Sequence, residues 1–268
     1  MPIKAGNITI TARGTTGAYG KYYPKVADWV AHYEQRVAGH LGVIRASRTG
    51  AALLRAIAKP ITIRPLKKPR EVNAFARPDN CLDSIELFAD AAVCGSTDVL
   101  DMGTGLGSPS TVFYTPGTWT PGDRLMNRKY APDDPGARPD EVLFHELVHA
   151  MRHGHGERDR TPMKDDFDRV DEFHAIMICN MYCSERGRPL RRNHHGNKRM
   201  ETRFSSDAFV FYAWYSELVS KFVSDLPDLS RELKAIRCPF NPIREHFDYQ
   251  DVLRQIEIDR MTPRAGYY

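Results

Sequence analysis

Cysteine is scarce: five residues among 268 cannot staple the chain into a disulfide framework. None of the five makes the Cys-x-x-Cys spacing of a structural zinc site, although Cys81 and Cys94 could bridge in an oxidising compartment. No apolar run reaches about 18 residues, which excludes a membrane-spanning helix. The opening residues Met1 to Asn7 lack an apolar core, so no cleavable secretory signal is expected. Work outside the producing cell would need another export route. A strong excess of one charge is missing too. Lys and Arg number 38 against 34 Asp and Glu, giving a net charge of +4 and a pI near 8.7. The basic runs at 67–70 and 186–192 therefore read as solvated faces, and nucleic acid is not an expected partner.

What is present includes enough apolar residues, 41% of the chain, for a sizeable core. Val26, Trp29, Val30, Tyr33 and Val37 recur at helical spacing and predict a helix over 22–41. A second helix over 49–58 ends at Pro60. Strands are predicted at 7–11, 61–63 and 111–115. Residues 66–80, rich in Pro, Lys and Arg, read as an exposed connection, 81–120 as strand and turn, and 127–138 as a polar loop. Gly103, Gly105 and Gly107 serve turns in this reading, because no strand-to-helix setting supports a phosphate loop. Further helices are predicted at 139–153, 167–184, 206–225, 228–236 and 248–259. Strands in the middle followed by helices give an α+β fold, with a small antiparallel or mixed sheet and a mostly helical C-terminal half.

One segment carries chemistry. His145-Glu146-Leu147-Val148-His149 places two imidazoles at i and i+4 on one helix face, where both can hold one Zn²⁺, with a carboxylate between them to act on an activated water. Pro139 suits the first turn of that helix, Asp140 and Glu141 suit its N-terminal dipole, and Gly154 suits its stop. Leu143, Phe144, Leu147, Val148, Ala150 and Met151 form one broad apolar arc, and His145, Glu146 and His149 lie on the other.

A catalytic zinc site needs a third protein ligand. His155 would complete the longer metzincin spacing, but Arg152 stands where that pattern requires Gly for a sharp turn. Glu172 is the rival. It sits among Val170, Phe173, Ile176, Met177, Ile178 and Met181, a stretch apolar nearly all round and therefore buried, where a carboxylate is costly unless paired or metal-bound. Asp165, Asp166, Asp168 and Asp171 are further candidates.

Residues 111–192 resemble bacterial secreted effector and toxin-domain zincins, metallopeptidases in which His-Glu-x-x-His is joined by a downstream Glu. The likeness rests on Val112-Phe113-Tyr114-Thr115-Pro116, on the segment from Leu143 to Ala150, on Asp171-Glu172-Phe173 and on Arg188-Pro189-Leu190-Arg191. It implies a zincin-like fold and one Zn²⁺ held by His145, His149 and Glu172, with Glu146 as catalytic base and acid. It also implies an injected effector that cleaves a protein or peptide inside a target cell or a periplasm, served by a secretion system or an immunity protein. The chain departs from the family at Ile176, where glutamate zincins carry an Asp four residues after the third ligand. That leaves the carboxylate that orients a metal-binding His open. The whole of 1–268 reads as one catalytic domain: an N-terminal helix-and-strand segment over 1–80, a metallopeptidase core over 81–200 and C-terminal helices over 201–268.

The strand at 111–115 is the natural edge for an extended substrate to pair with. His194-His195-Gly196 reads either as a solvated loop or as a donor to the transition state, a role Tyr212 or Tyr215 could also fill. Cys179 and Cys183 read as core, and His153 and His174 as surface or packing residues. The rival classes are a non-catalytic binding protein on the same scaffold, marked by a closed four-ligand site, and a non-peptidase zinc hydrolase.

Overall fold

Alternating isoleucines start the sheet. The computed structural model, which describes residues 2–13, 19, 26–68, 73–87, 102–126, 133–163, 167–194, 199–200 and 213–261, has five short strands. They are β1 (Ile3–Ala5), β2 (Ile8–Ile10), β3 (Ile61–Arg64), β4 (Phe75–Pro78) and β5 (Ser110–Phe113), in the order β1-β2-β3-β5-β4. β2, β3 and β5 run parallel, while the edges β1 and β4 run antiparallel to their neighbours. The register sets Ile10 beside Ile63 and Ile63 beside Val112, so one row of buried side chains crosses all three parallel strands.

Two sequence expectations need correcting here. β5 is interior, bonded to β3 on one side and β4 on the other, so the strand predicted at 111–115 is not an edge. The edge is β4, which lies in the stretch read as an exposed connection. Its side chains are mostly half-buried or exposed, so it shows no period-two apolar pattern; pairing with β5 and the stacking of Phe75 on Phe113 hold it. Within 81–120, Cys81–Ser84 forms a helical turn (α3), because the Asn80 side chain accepts from the N–H groups of Leu82 and Asp83.

Before α3 come α1 (Val26–Arg45) and α2 (Arg48–Arg55), and after β5 a 3₁₀ turn at Pro116–Trp119. Then follow α4 (Pro139–His155) and α5 (Val170–Glu185). α4 packs against β4 and β5 of the sheet, against α5 and against α1. So surrounded, it buries both of its arcs, polar and apolar. Its stop is Gly156 rather than Gly154: Gly156 takes φ +75° and its N–H caps the carbonyls of Arg152 and His153. α5 is buried along almost its whole length, as its all-round apolarity predicts.

The chain divides into two compact units, 1–200 and 201–268. The first holds the sheet and α1 to α5. The second holds α6 (Ala213–Asp225), α7 (Pro227–Lys234) and α8 (Pro242–Met261). Asn241 joins α7 to α8, donating to the carbonyls of Leu233 and Ile236 while its Oδ1 accepts from the N–H of Arg244. The helix predicted at 206–225 is seen from Ala213 onward, residues 206–212 lying outside the described set. With this sheet and these helices the architecture is α+β. Among the described residues, no helix is long and apolar enough to cross a membrane.

Candidate metal centre

The helical spacing of His145 and His149 brings their Nε2 atoms to 3.1 Å from each other. α5 crosses α4 so that Glu172, in its first turn, sets Oε2 3.1 Å from His145 Nε2 and 3.3 Å from His149 Nε2. Two ring nitrogens and a carboxylate oxygen thus form a nearly equilateral triangle. Donors held at this spacing repel unless a proton or a cation sits among them, and the donor set suits a divalent metal ion.

Asp171, the neighbour of Glu172, accepts from His149 Nδ1 at 2.8 Å. That bond leaves the Nε2 lone pair of the neutral ring facing the cluster. Asp171 also takes the Nε–H of the fully buried Arg152 at 3.1 Å. From the sequence, Asp171 is only one of several possible ligands. Its position in the first turn of α5, beside Glu172, is the signal that fits an orienting partner in place of the one Ile176 cannot supply. Among the described residues His145 has no such support, and its buried Nδ1 meets no hydrogen-bond partner there.

The electrostatics follow from burial and these carboxylates. Burial pushes the Glu146 carboxyl up to about 7, against the attraction of His149; the neighbouring Glu172 adds to the rise, and an N–H from Ala76 in β4 opposes it. Burial lowers His145 to about 4. Burial would lower His149 as well, but Glu172 and Asp171 outweigh it and hold this imidazole well above its usual value. Conversely, burial would raise Asp171 and Glu172, but the histidines beside them keep both well below the usual carboxylate range.

The triangle opens into a cleft of about 650 Å³, lined by β4 residues Phe75 and Ala76, by Trp119, and by Glu146, Arg191 and His194 among others. His194 donates from Nδ1 to Asp168 at 2.9 Å and sets Nε2 3.4 Å from Glu172 Oε2, with its ring parallel to that of His145. It is therefore held in place rather than solvated, while His195 and Gly196 lie outside the described residues. His155 donates from Nε2 to the Ala56 carbonyl at 2.7 Å and is not in the cluster. Asp165, Asp166 and Tyr212 lie outside the described residues, and Tyr215 belongs to the second unit. His153 is a packing residue joined to Ser110 at 3.1 Å, and His174 is buried. Cys179 and Cys183 are buried free thiols, whereas Cys81 is disulfide-bonded; Cys94 lies outside the described residues.

The basic run 186–192 differs from its reading as a solvated face. Arg188 reaches Asp140 at 2.6 Å and Glu141 at 3.1 Å, and Tyr182 donates to Asp140 at 2.5 Å. The first turn of α4 is thereby tied to the end of α5. Arg191 donates to the carbonyls of Asn193 and His194 and so holds the loop that carries His194. Spacing alone could not reveal this, because the partners are remote in sequence.

No curated protein matches the chain. A family of effector proteins, peptidase M91, matches residues 26–186, from the start of α1 to just past the end of α5. That span contains the whole triangle of His145, His149 and Glu172 and more than half of the chain, which belongs to this family of effector peptidases.

Proposed function

We propose that the chain is a zinc-dependent endopeptidase of zincin-like fold, with His145, His149 and Glu172 as metal ligands and Glu146 as general base and acid. One observation carries the reading: three donor atoms 3.1 to 3.3 Å apart. Donors on tetrahedral zinc, at 2.0–2.1 Å from the metal, are spaced by roughly 3.3 Å. Zn²⁺ bound there would lower the pKa of a water towards about 7 and polarise the scissile carbonyl.

The residues of the chain do the rest. Glu146, next to the first ligand and lining the same cleft, takes the proton of the attacking water and passes it to the leaving amine. Asp171 keeps the His149 ring oriented. His194, fixed by Asp168, lines the cleft with Nε2 beside Glu172; the neutral ring spends its one N–H on Asp168, so it would donate to an oxyanion only as the imidazolium. Among the described residues β4 is the terminal strand of the sheet, and its outer edge takes the role expected of residues 111–115. An extended peptide pairing there would run past Glu146, which already meets the N–H of Ala76. Membership of an effector family supports a protein substrate in a target cell or a periplasm, reached by injection and answered by a secretion or immunity partner.

The test is Glu146→Ala beside wild type. Zinc content should be unchanged while hydrolysis falls by about 10²- to 10⁴-fold. Full activity in the variant would end the mechanism. Expressing both forms separately in the cytosol and the periplasm of a bacterial cell would then show which compartment holds the target.

A further inference from the structure

α5 ends at Glu185, and the chain then turns back along it. Gly187 takes φ +64°, and the N–H of Arg188 returns to the Cys183 carbonyl at 2.9 Å. At Arg191 the return meets the helix again. The buried side chain of Asn180 donates to the Arg191 carbonyl at 2.7 Å and accepts from the Arg191 N–H at 2.8 Å. A side-chain amide that bonds both main-chain groups of one residue acts as a neighbouring strand would, and it singles out one position of the chain. The Leu190 carbonyl accepts from the Met200 N–H at 2.8 Å, so the return also pairs with its own continuation.

This clasp fixes where His194 falls. Along α5, Glu172 lies eight residues before Asn180, roughly 12 Å at the rise of an α-helix. Along the return, His194 lies three residues after Arg191, roughly 10 Å of extended chain. The two lengths match. His194 accordingly sets Nε2 3.4 Å from Glu172 Oε2 and Nδ1 2.9 Å from Asp168. The Arg191 guanidinium stiffens the span by donating to the carbonyls of Asn193, at 2.8 Å, and of His194. A slip of one residue past Asn180 would carry His194 about 3.3 Å along α5 and turn its ring to the other side. One helix thus carries the Glu172 donor and, about two turns on, the clasp for the segment that bears His194.

We propose that Asn180 is a positioning residue: it sets the register of residues 188–194 and thereby holds His194 beside Glu172. The inference rests on the metallopeptidase reading, which gives the centre its work, but the clasp can be tested apart from turnover. Without the amide, the Arg191 N–H and carbonyl lose both of their bonds to Asn180, and the return is free to shift.

The experiment compares zinc-loaded Asn180→Ala, and the milder Asn180→Ser, with wild type. The first readout is the ring nitrogen NMR signals of His194, identified by their loss in His194→Gln. They should move or broaden in both variants, while the signals of His145 and His149 and the zinc affinity stay at their wild-type values. Unmoved His194 signals in a folded variant would overturn the proposal. Equal disturbance of His145, His149 and His194 would overturn it too, because that marks a general role in the core. The second readout is a double-mutant cycle in kcat/KM. Asn180→Ala should cost roughly ten-fold in the wild-type enzyme and less than about two-fold in a His194→Gln background, since its effect runs through His194. Losses that multiply would contradict that route. Wild type without peptidase activity would remove the peptidase reading and leave the ring signals to decide on Asn180, so the two failures are distinguishable. A thermal melt confirms that each variant is folded, and Asn180→Ser decides if Asn180→Ala is not.

Discussion

α4 and α5 are both buried and both supply the triangle, yet they do so by different means. α4 carries a local grammar: Pro139 at its start, Gly156 in the left-handed conformation at its end, and two histidines one turn apart. Its two donors need no other element to fall on one face. α5 offers only its first turn, where Asp171 and Glu172 also lie at the positive end of the helix dipole. Adjacent carboxylates there serve different atoms of the same ring: Asp171 meets His149 Nδ1, and Glu172 stands by His149 Nε2. One helix sets donors by spacing, and the other sets them by how it is packed.

The sharpest way to break this contrast is to remove the packed donor. Glu172→Ala should cost at least about 10³-fold in zinc affinity, measured by competition with a chelator, because several of the roughly 10–16 kcal/mol of a zinc site reside in each ligand. Unaltered affinity would mean that α5 supplies no ligand. Next comes the packing itself. Phe173 is fully buried beside the two carboxylates and meets Phe167 edge-on at 5.1 Å between ring centroids. Phe173→Ala should lower stability by about 3–5 kcal/mol in denaturant titrations of chelator-treated protein. It should also weaken zinc binding, whereas an equally destabilising change far from α5 should not.

A smaller effect separates the neighbouring acids. Asp171→Asn keeps the shape but removes the charge that orients His149, and should weaken zinc binding by about 10- to 100-fold. A loss as large as that of Glu172→Ala would make Asp171 a ligand instead. The smallest effect belongs to α4's last histidine. His155→Ala gives up one bond to the Ala56 carbonyl, so stability should fall by about 1 kcal/mol while zinc affinity stays put.

The same contrast explains what the sequence could disclose. Helical periodicity found α4 and α5 to within a few residues, since each has a strong apolar pattern. His145, Glu146 and His149 were legible together, because a fixed rise and turn relate residues on one helix. Glu172 stood out only as a carboxylate in an apolar stretch, which identifies a buried charge but not its partner. The division of labour between Asp171 and Glu172 was invisible, as it depends on how α5 approaches α4. β4 was missed for the related reason that an edge strand with few buried side chains has no apolar period and owes its conformation to β5. Arg188 and Arg191 looked like surface charge, and their partners at Asp140, Glu141 and His194 emerged only when the chain was folded.

The central claim is that α4 and α5 together hold one catalytic metal, and diffraction from zinc-loaded crystals at the zinc absorption edge tests it most directly. The expected result is a single anomalous peak about 2.0–2.2 Å from His145 Nε2, His149 Nε2 and Glu172 Oε2, with one position facing the cleft left to water. A peak bound by His155, a fourth protein ligand closing the open position, or no peak at the triangle would contradict it.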